Sequence, residues 1–122
     1  MKATALLKEQ HRAVEKLFSQ IEGGQQDLLP ELANNLAGHM TIEQEIFYPA
    51  VRSVARSEIS EAFEEHSVAE LALKRALALN PEDEQFSARV KVLKELIQQH
   101  VKEEEGELFP KVEKKVSAAD LE

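Results

Sequence analysis

The chain carries four histidines, and each is followed four residues later by a glutamate. Residues at positions i and i+4 project from one face of a helix, so each pair would place an imidazole beside a carboxylate. Glutamate makes up 20 of 122 residues, so chance gives one such pair about once in six and all four about once in a thousand. The pairs are His11–Glu15, His39–Glu43, His66–Glu70 and His100–Glu104.

Imidazole nitrogen combined with carboxylate oxygen is a ligand set for non-haem iron, with manganese and zinc as further candidates. Two neighbouring ions need several negative charges to offset their mutual repulsion, and glutamates supply those charges. Burying the same groups without a metal or a charged partner would cost several kcal/mol per charge. The pattern therefore predicts a buried metal site.

Three breaks divide the chain into the elements that must position these pairs. They are the glycine pair Gly23–Gly24, the region around Ser57, and Asn80–Pro81, which are typical helix ends and starts. The predicted helices cover about residues 3–22, 27–55, 58–80 and 82–115.

Short connections favour antiparallel neighbours, so the fold class is all-α, an up-down-up-down antiparallel four-helix bundle. The bundle is predicted to occupy residues 1–116, followed by a short C-terminal tail at 117–122. Pro49 and Pro110 fall inside helical patterns and are expected to kink or loosen the second and fourth helices.

The periodicity of each helix predicts one buried stripe in which a histidine interrupts the apolar residues near the middle. In the third helix this stripe is predicted to contain Ile59, Phe63, His66, Glu70, Leu73 and Leu77.

An internal repeat fixes the register of the second and fourth helices. Residues 39–51 match residues 100–112, with His, Glu, Pro and Val at the same offsets. Glu104 stands six residues before its proline, as Glu43 does, so it is predicted to be the partner of His100. Its neighbours Glu103 and Glu105 are predicted to lie on a solvated helix face.

Composition narrows the possible functions. The absence of cysteine excludes disulfides, thiolate metal sites and cysteine nucleophiles. A net charge of −8 disfavours binding to a nucleic-acid backbone or an anionic membrane. No apolar stretch reaches the roughly 18 residues of a transmembrane helix, and the N-terminal sequence lacks a signal-peptide pattern. We therefore expect a cytoplasmic protein with neither nucleic-acid nor membrane partners.

These residues resemble the hemerythrin-like proteins, specifically the bacterial His-His-Glu cation-binding domains. The resemblance covers essentially the whole chain and includes a Phe-Tyr-Pro or Leu-Phe-Pro element after each His-x-x-x-Glu of the second and fourth helices. It implies two iron ions in an oxo- or hydroxo-bridged centre. One iron would take His11 and His39, the other His66 and His100. The bridging ligands would be Glu43 and Glu104.

The sequence departs from the oxygen carriers of that family at one position. Those proteins have five terminal histidines, and here the fifth is replaced by Glu70. As a ligand, a carboxylate favours ferric iron, which argues against reversible dioxygen carriage. The mirror residue Glu15 ranks below Glu70, because Val14 occupies the stripe of the first helix. Tyr48 has two open interpretations, a hydrogen-bond donor to the site or a packing residue.

The leading hypothesis for function is a di-iron protein that binds, senses or reacts with dioxygen, peroxide or nitric oxide. Two alternatives use the same centre: iron storage or transfer, and a peroxidase- or oxidase-type di-iron enzyme. A plain helical scaffold is the remaining alternative. The sequence does not indicate a protein partner.

Overall fold

The computed structural model describes residues 2–116, whose regular elements are all helical and form a four-helix bundle. The bundle has four long helical segments, which we call rods. Two of them consist of one helix each, and the other two consist of two helices joined by a π turn. The predicted tail at 117–122 lies outside the described residues. The helices are α1 (Ala3–Glu22), α2 (Leu29–Ile42), α3 (Tyr48–Val51), α4 (Arg56–Leu77), α5 (Phe86–Glu103) and α6 (Phe109–Lys115).

The second rod consists of α2 and α3, and the fourth of α5 and α6. Helix α1 packs mainly on α2, and α4 packs mainly on α5. Two 3₁₀ turns, Gln26–Leu28 and Arg52–Val54, flank the second rod. Among residues 2–116, no helix is both long enough and apolar enough to cross a membrane.

Helix boundaries follow the local turn chemistry. Helix α1 matches its predicted range and ends before Gly24, whose φ of +115° requires glycine. The fourth rod begins at Phe86, later than the predicted residue 82. The reason is that the side-chain oxygens of Asn80 and Asp83 accept backbone N–H groups two residues further on, at 3.0 and 2.8 Å. These short turns compete with helix formation.

The expected loosening before each proline takes the form of a π turn. One spans Glu43–Phe47 and the other Glu104–Leu108, just before Pro49 and Pro110. In each turn the carbonyl of the first glutamate accepts the N–H of the residue that precedes the proline. Both π turns therefore begin at a glutamate of a predicted His–Glu pair.

Two apolar clusters divide the interior of the bundle. Along α1, Leu7 belongs to one cluster and Val14 to the other. Along α4, Ala62 belongs to the same cluster as Leu7, and Ala69 to the same cluster as Val14. The histidine between each of these pairs thus lies in a polar layer with apolar packing above and below it.

The predicted stripe of α4 is wrong at three positions. Phe63 and Leu77 are 38% and 44% exposed, and Glu70 is exposed as well. The helix instead turns small residues inward, since close packing against α5 leaves room for alanine rather than for larger side chains. The buried residues of α4 are Ile59, Ala62, His66, Ala69 and Ala76.

Candidate metal centre

Six side chains from all four rods converge in the polar layer, and each of these residues is at most 5% exposed. They form two groups of four potential ligands that share both carboxylates. We call His11 with His39 the N-terminal half-site, and His66 with His100 the C-terminal half-site. The shared carboxylates belong to Glu43 and Glu104.

Within each half-site the two imidazoles present their Nε2 atoms to the same point. The Nε2 atoms of His11 and His39 lie 3.1 Å apart, and those of His66 and His100 are also 3.1 Å apart. Two nitrogens bound to one ion at about 2.1 Å and at right angles would be separated by about 3 Å. The spacing therefore suits one ion per half-site.

The two carboxylates each face both half-sites. Glu104 Oε1 lies 3.1 Å from His11 Nε2, and its Oε2 lies 3.3 Å from His100 Nε2. Glu43 Oε1 lies 3.1 Å from His39 Nε2 and 3.0 Å from His66 Nε2. This arrangement suits carboxylates that bridge two ions.

Three of the four carboxylate oxygens lack a hydrogen-bond partner within the described chain, although they are fully buried. An unsatisfied buried anion is costly, and a cation removes that cost. With imidazole nitrogens alongside, the donor set fits borderline divalent or trivalent ions such as iron. The free oxygens are both oxygens of Glu43 and Oε1 of Glu104.

The outer nitrogen of each imidazole is held by a residue from another rod. His11 Nδ1–H donates to Glu105 at 2.6 Å, and His39 Nδ1–H donates to Gln10 at 2.6 Å. Such a bond keeps the proton on Nδ1 and leaves the Nε2 lone pair free for a metal.

The C-terminal half-site is held in the same way. His100 Nδ1–H donates to Glu65 at 2.7 Å. The Gln44 amide lies 2.9 Å from His66 Nδ1. The amide can donate through its nitrogen or, rotated by half a turn, accept through its oxygen. Each half-site therefore has one carboxylate and one amide behind its imidazoles.

Sequence reasoning missed these four outer partners and wrongly assigned Glu105 to a solvated face. The signal was present in the repeat. In the first and third rods, the partner is the residue directly before the histidine. In the second and fourth rods, it is the residue directly after the buried glutamate. The partners are Gln10, Gln44, Glu65 and Glu105.

Tyr48 fulfils both interpretations that the sequence left open. It is fully buried in the apolar packing, and its hydroxyl donates to Glu104 Oε2. The hydroxyl also lies 3.3 and 3.5 Å from the Nε2 atoms of His66 and His100. At the matching repeat position, Phe109 stacks on His11 with ring centroids 6.0 Å apart. The tyrosine thus distinguishes the C-terminal half-site from the other.

In the metal-free protein, protons on the histidines balance the negative charge of the buried carboxylates. Burial alone lowers the pKa of His100, but the nearby carboxylates of Glu104 and Glu43 outweigh burial and raise this pKa to about 11. For His11, burial likewise lowers the pKa, and the contacts with Glu104 more than reverse it. Burial raises the pKa of Glu43, yet the close approach of Glu104 and the histidines brings it well below the usual value.

The surroundings of the two outer carboxylates differ. Glu105 is paired with the guanidinium of Arg12, which also bonds Glu15 at 3.1 Å. Glu65 lies next to Glu61 and Glu103, with carboxylate oxygens within 4.8 Å of one another. Burial, together with a hydrogen bond shared with Glu103, raises the pKa of Glu65 to about 7.

The structure does not bring Glu70 or Glu15 into the centre. Glu70 lies on the exposed face of α4, because the residue that follows His66 on the buried face is Ala69 at i+3. Glu15 is 41% exposed and bonded to Arg12. The expectation that Glu70 is a fifth terminal ligand is therefore wrong for this structure, because the carboxylate of Glu70 lies outside the centre.

Comparisons with known proteins found a distant curated relative and a family model. A curated protein of Nostoc sp. (strain PCC 7120 / SAG 25.82 / UTEX 2576), named DNA nickase, is 26% identical over 123 residues. The alignment covers 96% of this chain but 35% of that protein, so the chain spans about a third of its length. No solved structure matches the chain.

A family model described as hemerythrin HHE cation binding domain matches residues 2–112. This match confirms the resemblance drawn from the His-x-x-x-Glu repeats and their following Phe-Pro elements. The chain therefore belongs to the hemerythrin HHE cation-binding family.

Proposed function

We propose that the chain holds a di-iron centre, with one iron in the N-terminal half-site and one in the C-terminal half-site. Glu43 and Glu104 would bridge the two ions. The observation that carries the proposal is the pair of buried carboxylates with free oxygens, each facing imidazole nitrogens of both half-sites at 3.0–3.3 Å. The proposal includes the up-down-up-down antiparallel course of the rods, which short connections favour.

Iron is the proposed metal, and manganese or zinc would also suit nitrogen and carboxylate donors. Bound iron would supply redox chemistry and affinity for small oxidants. The chain's own part is to hold the four imidazoles in one tautomer, to neutralise the ions with two carboxylates, and to donate a hydrogen bond from Tyr48 to Glu104.

We further propose that the centre binds, senses or reacts with dioxygen, peroxide or nitric oxide. The six residues are almost completely enclosed, so only a small molecule can reach them without opening the bundle. A surface cleft between α1 and α2 is lined by Gln10, Gly38 and His39. It brings solvent to one residue of the N-terminal half-site.

The activity in the name of the nickase relative is not part of this proposal. The chain spans about a third of that protein's length, so the activity in that protein's name is not assigned to this chain. A net charge of −8 also opposes contact with a phosphate backbone.

The proposed reactivity is tested by reducing the iron-loaded protein without air and adding dioxygen, peroxide or nitric oxide separately. We expect the absorption spectrum to change with at least one of the three, whereas the zinc-loaded protein stays colourless. Sustained consumption of excess peroxide would favour the enzyme alternative, and rapid loss of iron to a chelator would favour storage or transfer. A spectrum unchanged by all three reagents contradicts the proposal.

Ligand roles are tested by alanine variants. We expect His39→Ala, His66→Ala and His100→Ala each to lower the iron content from two ions per chain to one or fewer, because each removes a nitrogen from one half-site. Glu43→Ala and Glu104→Ala should disturb both ions. Iron content is measured by elemental analysis of the folded variants.

The matched control is Glu70→Ala, on the same helix as His66 but on its exposed face. This variant should keep two ions and an unchanged spectrum. Loss of iron from Glu70→Ala, at the level seen for His66→Ala, would show that the sequence expectation was right and that α4 turns about its axis when metal binds.

The pH dependence of stability separates the metal-free from the loaded protein. The pKa of His100 is about 11 in the folded metal-free chain, against an ordinary value of 6.5. The stabilisation by this proton is complete below pH 6.5 and is lost as the pH rises towards 11. The free energy of unfolding should therefore fall by at most about 1.4 kcal/mol per pH unit over that range.

In the loaded protein a metal occupies the place of that proton, so the free energy of unfolding should be nearly constant between pH 7 and 9. Denaturant titrations of both forms at several pH values measure the difference. Parallel curves for the two forms would contradict metal binding at His100.

A further inference from the structure

The two half-sites have equivalent inner donors. Each has two imidazole nitrogens at 3.1 Å, two shared carboxylates, and one carboxylate and one amide behind its imidazoles. If two ions bind with different affinities, the difference must therefore come from the charged and polar neighbours of these matching groups.

The charge behind the two half-sites is different. Glu105, behind His11, is neutralised by Arg12. Glu65, behind His100, has no lysine or arginine partner among residues 2–116 and lies beside Glu61 and Glu103. Lys111 is bonded to Glu58, which lines the same cleft as Glu65, at 2.9 Å. The carboxylate behind the C-terminal half-site thus lacks the guanidinium partner that the carboxylate behind the N-terminal half-site has.

The negative surface is continuous with the centre. A narrow cleft has Glu61, Glu65 and Glu103 along its rim, and Glu104 also lines it. Glu104 is 2% exposed; its Oε2 faces His100, whereas its oxygen without a hydrogen-bond partner, Oε1, faces His11. A cation drawn to this face would therefore enter a cleft that a shared ligand of the centre lines.

A second difference lies on the inner side. The hydroxyl of Tyr48 places an additional oxygen 3.3 and 3.5 Å from the two Nε2 atoms of the C-terminal half-site. The N-terminal half-site has the apolar ring of Phe109 at the matching position. The second difference therefore gives a polar oxygen to the same half-site whose outer carboxylate lacks a guanidinium partner.

We propose that the centre loads in order: the C-terminal half-site binds the first ion and the N-terminal half-site the second, with Glu65 as the positioning residue that sets this order. The inference rests on the proposed two-ion centre. Residues that hold metal-ligating histidines change metal affinity by about 10- to 100-fold when they are replaced. We expect the two binding steps to differ by a factor in this range.

The test is a stepwise titration of the metal-free full chain with Zn²⁺, chosen as a diamagnetic probe. Binding is followed by nitrogen NMR of the four imidazoles and by calorimetry. The Nε2 signals of His66 and His100 should shift during the first equivalent, and those of His11 and His39 during the second. Simultaneous shifts or the reverse order overturn the inference but leave the two-ion centre intact. Binding of fewer than two ions overturns the proposed function itself.

Two charge variants and one matched control establish the cause. Glu65→Gln should weaken the first step by about 10- to 100-fold and abolish the order. Arg12→Gln, at a 54% exposed position, frees the carboxylate of Glu105 and should strengthen the second step. The control Glu105→Gln should weaken the second step more than the first. An order that survives in Glu65→Gln would show that Glu65 does not set it.

Discussion

The centre of this molecule depends on two buried carboxylates that cannot supply hydrogen bonds to each other. Glu43 and Glu104 lie in a buried layer, and three of their four oxygens have no hydrogen-bond partner within residues 2–116. Leaving such charges uncompensated would cost a large part of the stability of a small domain. Positive charge must therefore be supplied, by protons on the histidines in the metal-free chain and by metal ions in the proposed functional state.

This constraint explains why every rod contributes to the centre. A bundle of this size has a thin interior, and one rod alone could not surround two ions. The π turns begin at the two buried glutamates, as is common for π turns at functional sites. Apolar clusters on both sides enclose the polar layer, and a low local dielectric strengthens each electrostatic contact within it.

Much of this arrangement could be predicted from the sequence because it repeats. The His-x-x-x-Glu spacing and the shared prolines identified His39, Glu43, His100 and Glu104, and the structure brings these residues together with the other two histidines. The family is confirmed as well. Helix ends were predicted less well, since the turn chemistry of Asn80 and Asp83 delays the start of the fourth rod.

The errors have a common physical origin, which is that spacing alone does not tell which way a helix faces. Glu70 follows His66 by four residues, but α4 turns Ala69 inward. In α1 the sequence had already placed Val14 on the buried stripe, and Glu15 lies outside the centre. The predicted stripe of the third helix contained no alanine, although a close helix contact needs a small side chain. The outer partners of the histidines were missed because they belong to neighbouring rods, and a pattern within one helix cannot reveal contacts between helices.

The central claim is that two ions lie between the histidine pairs and share Glu43 and Glu104. It is tested most directly by anomalous X-ray scattering at the iron edge from crystals of the iron-loaded protein. The account predicts two peaks roughly 3.5–4 Å apart, one beside His11 and His39 and the other beside His66 and His100. A single peak, or peaks confined to the surface carboxylates of Glu61 and Glu103, would contradict it.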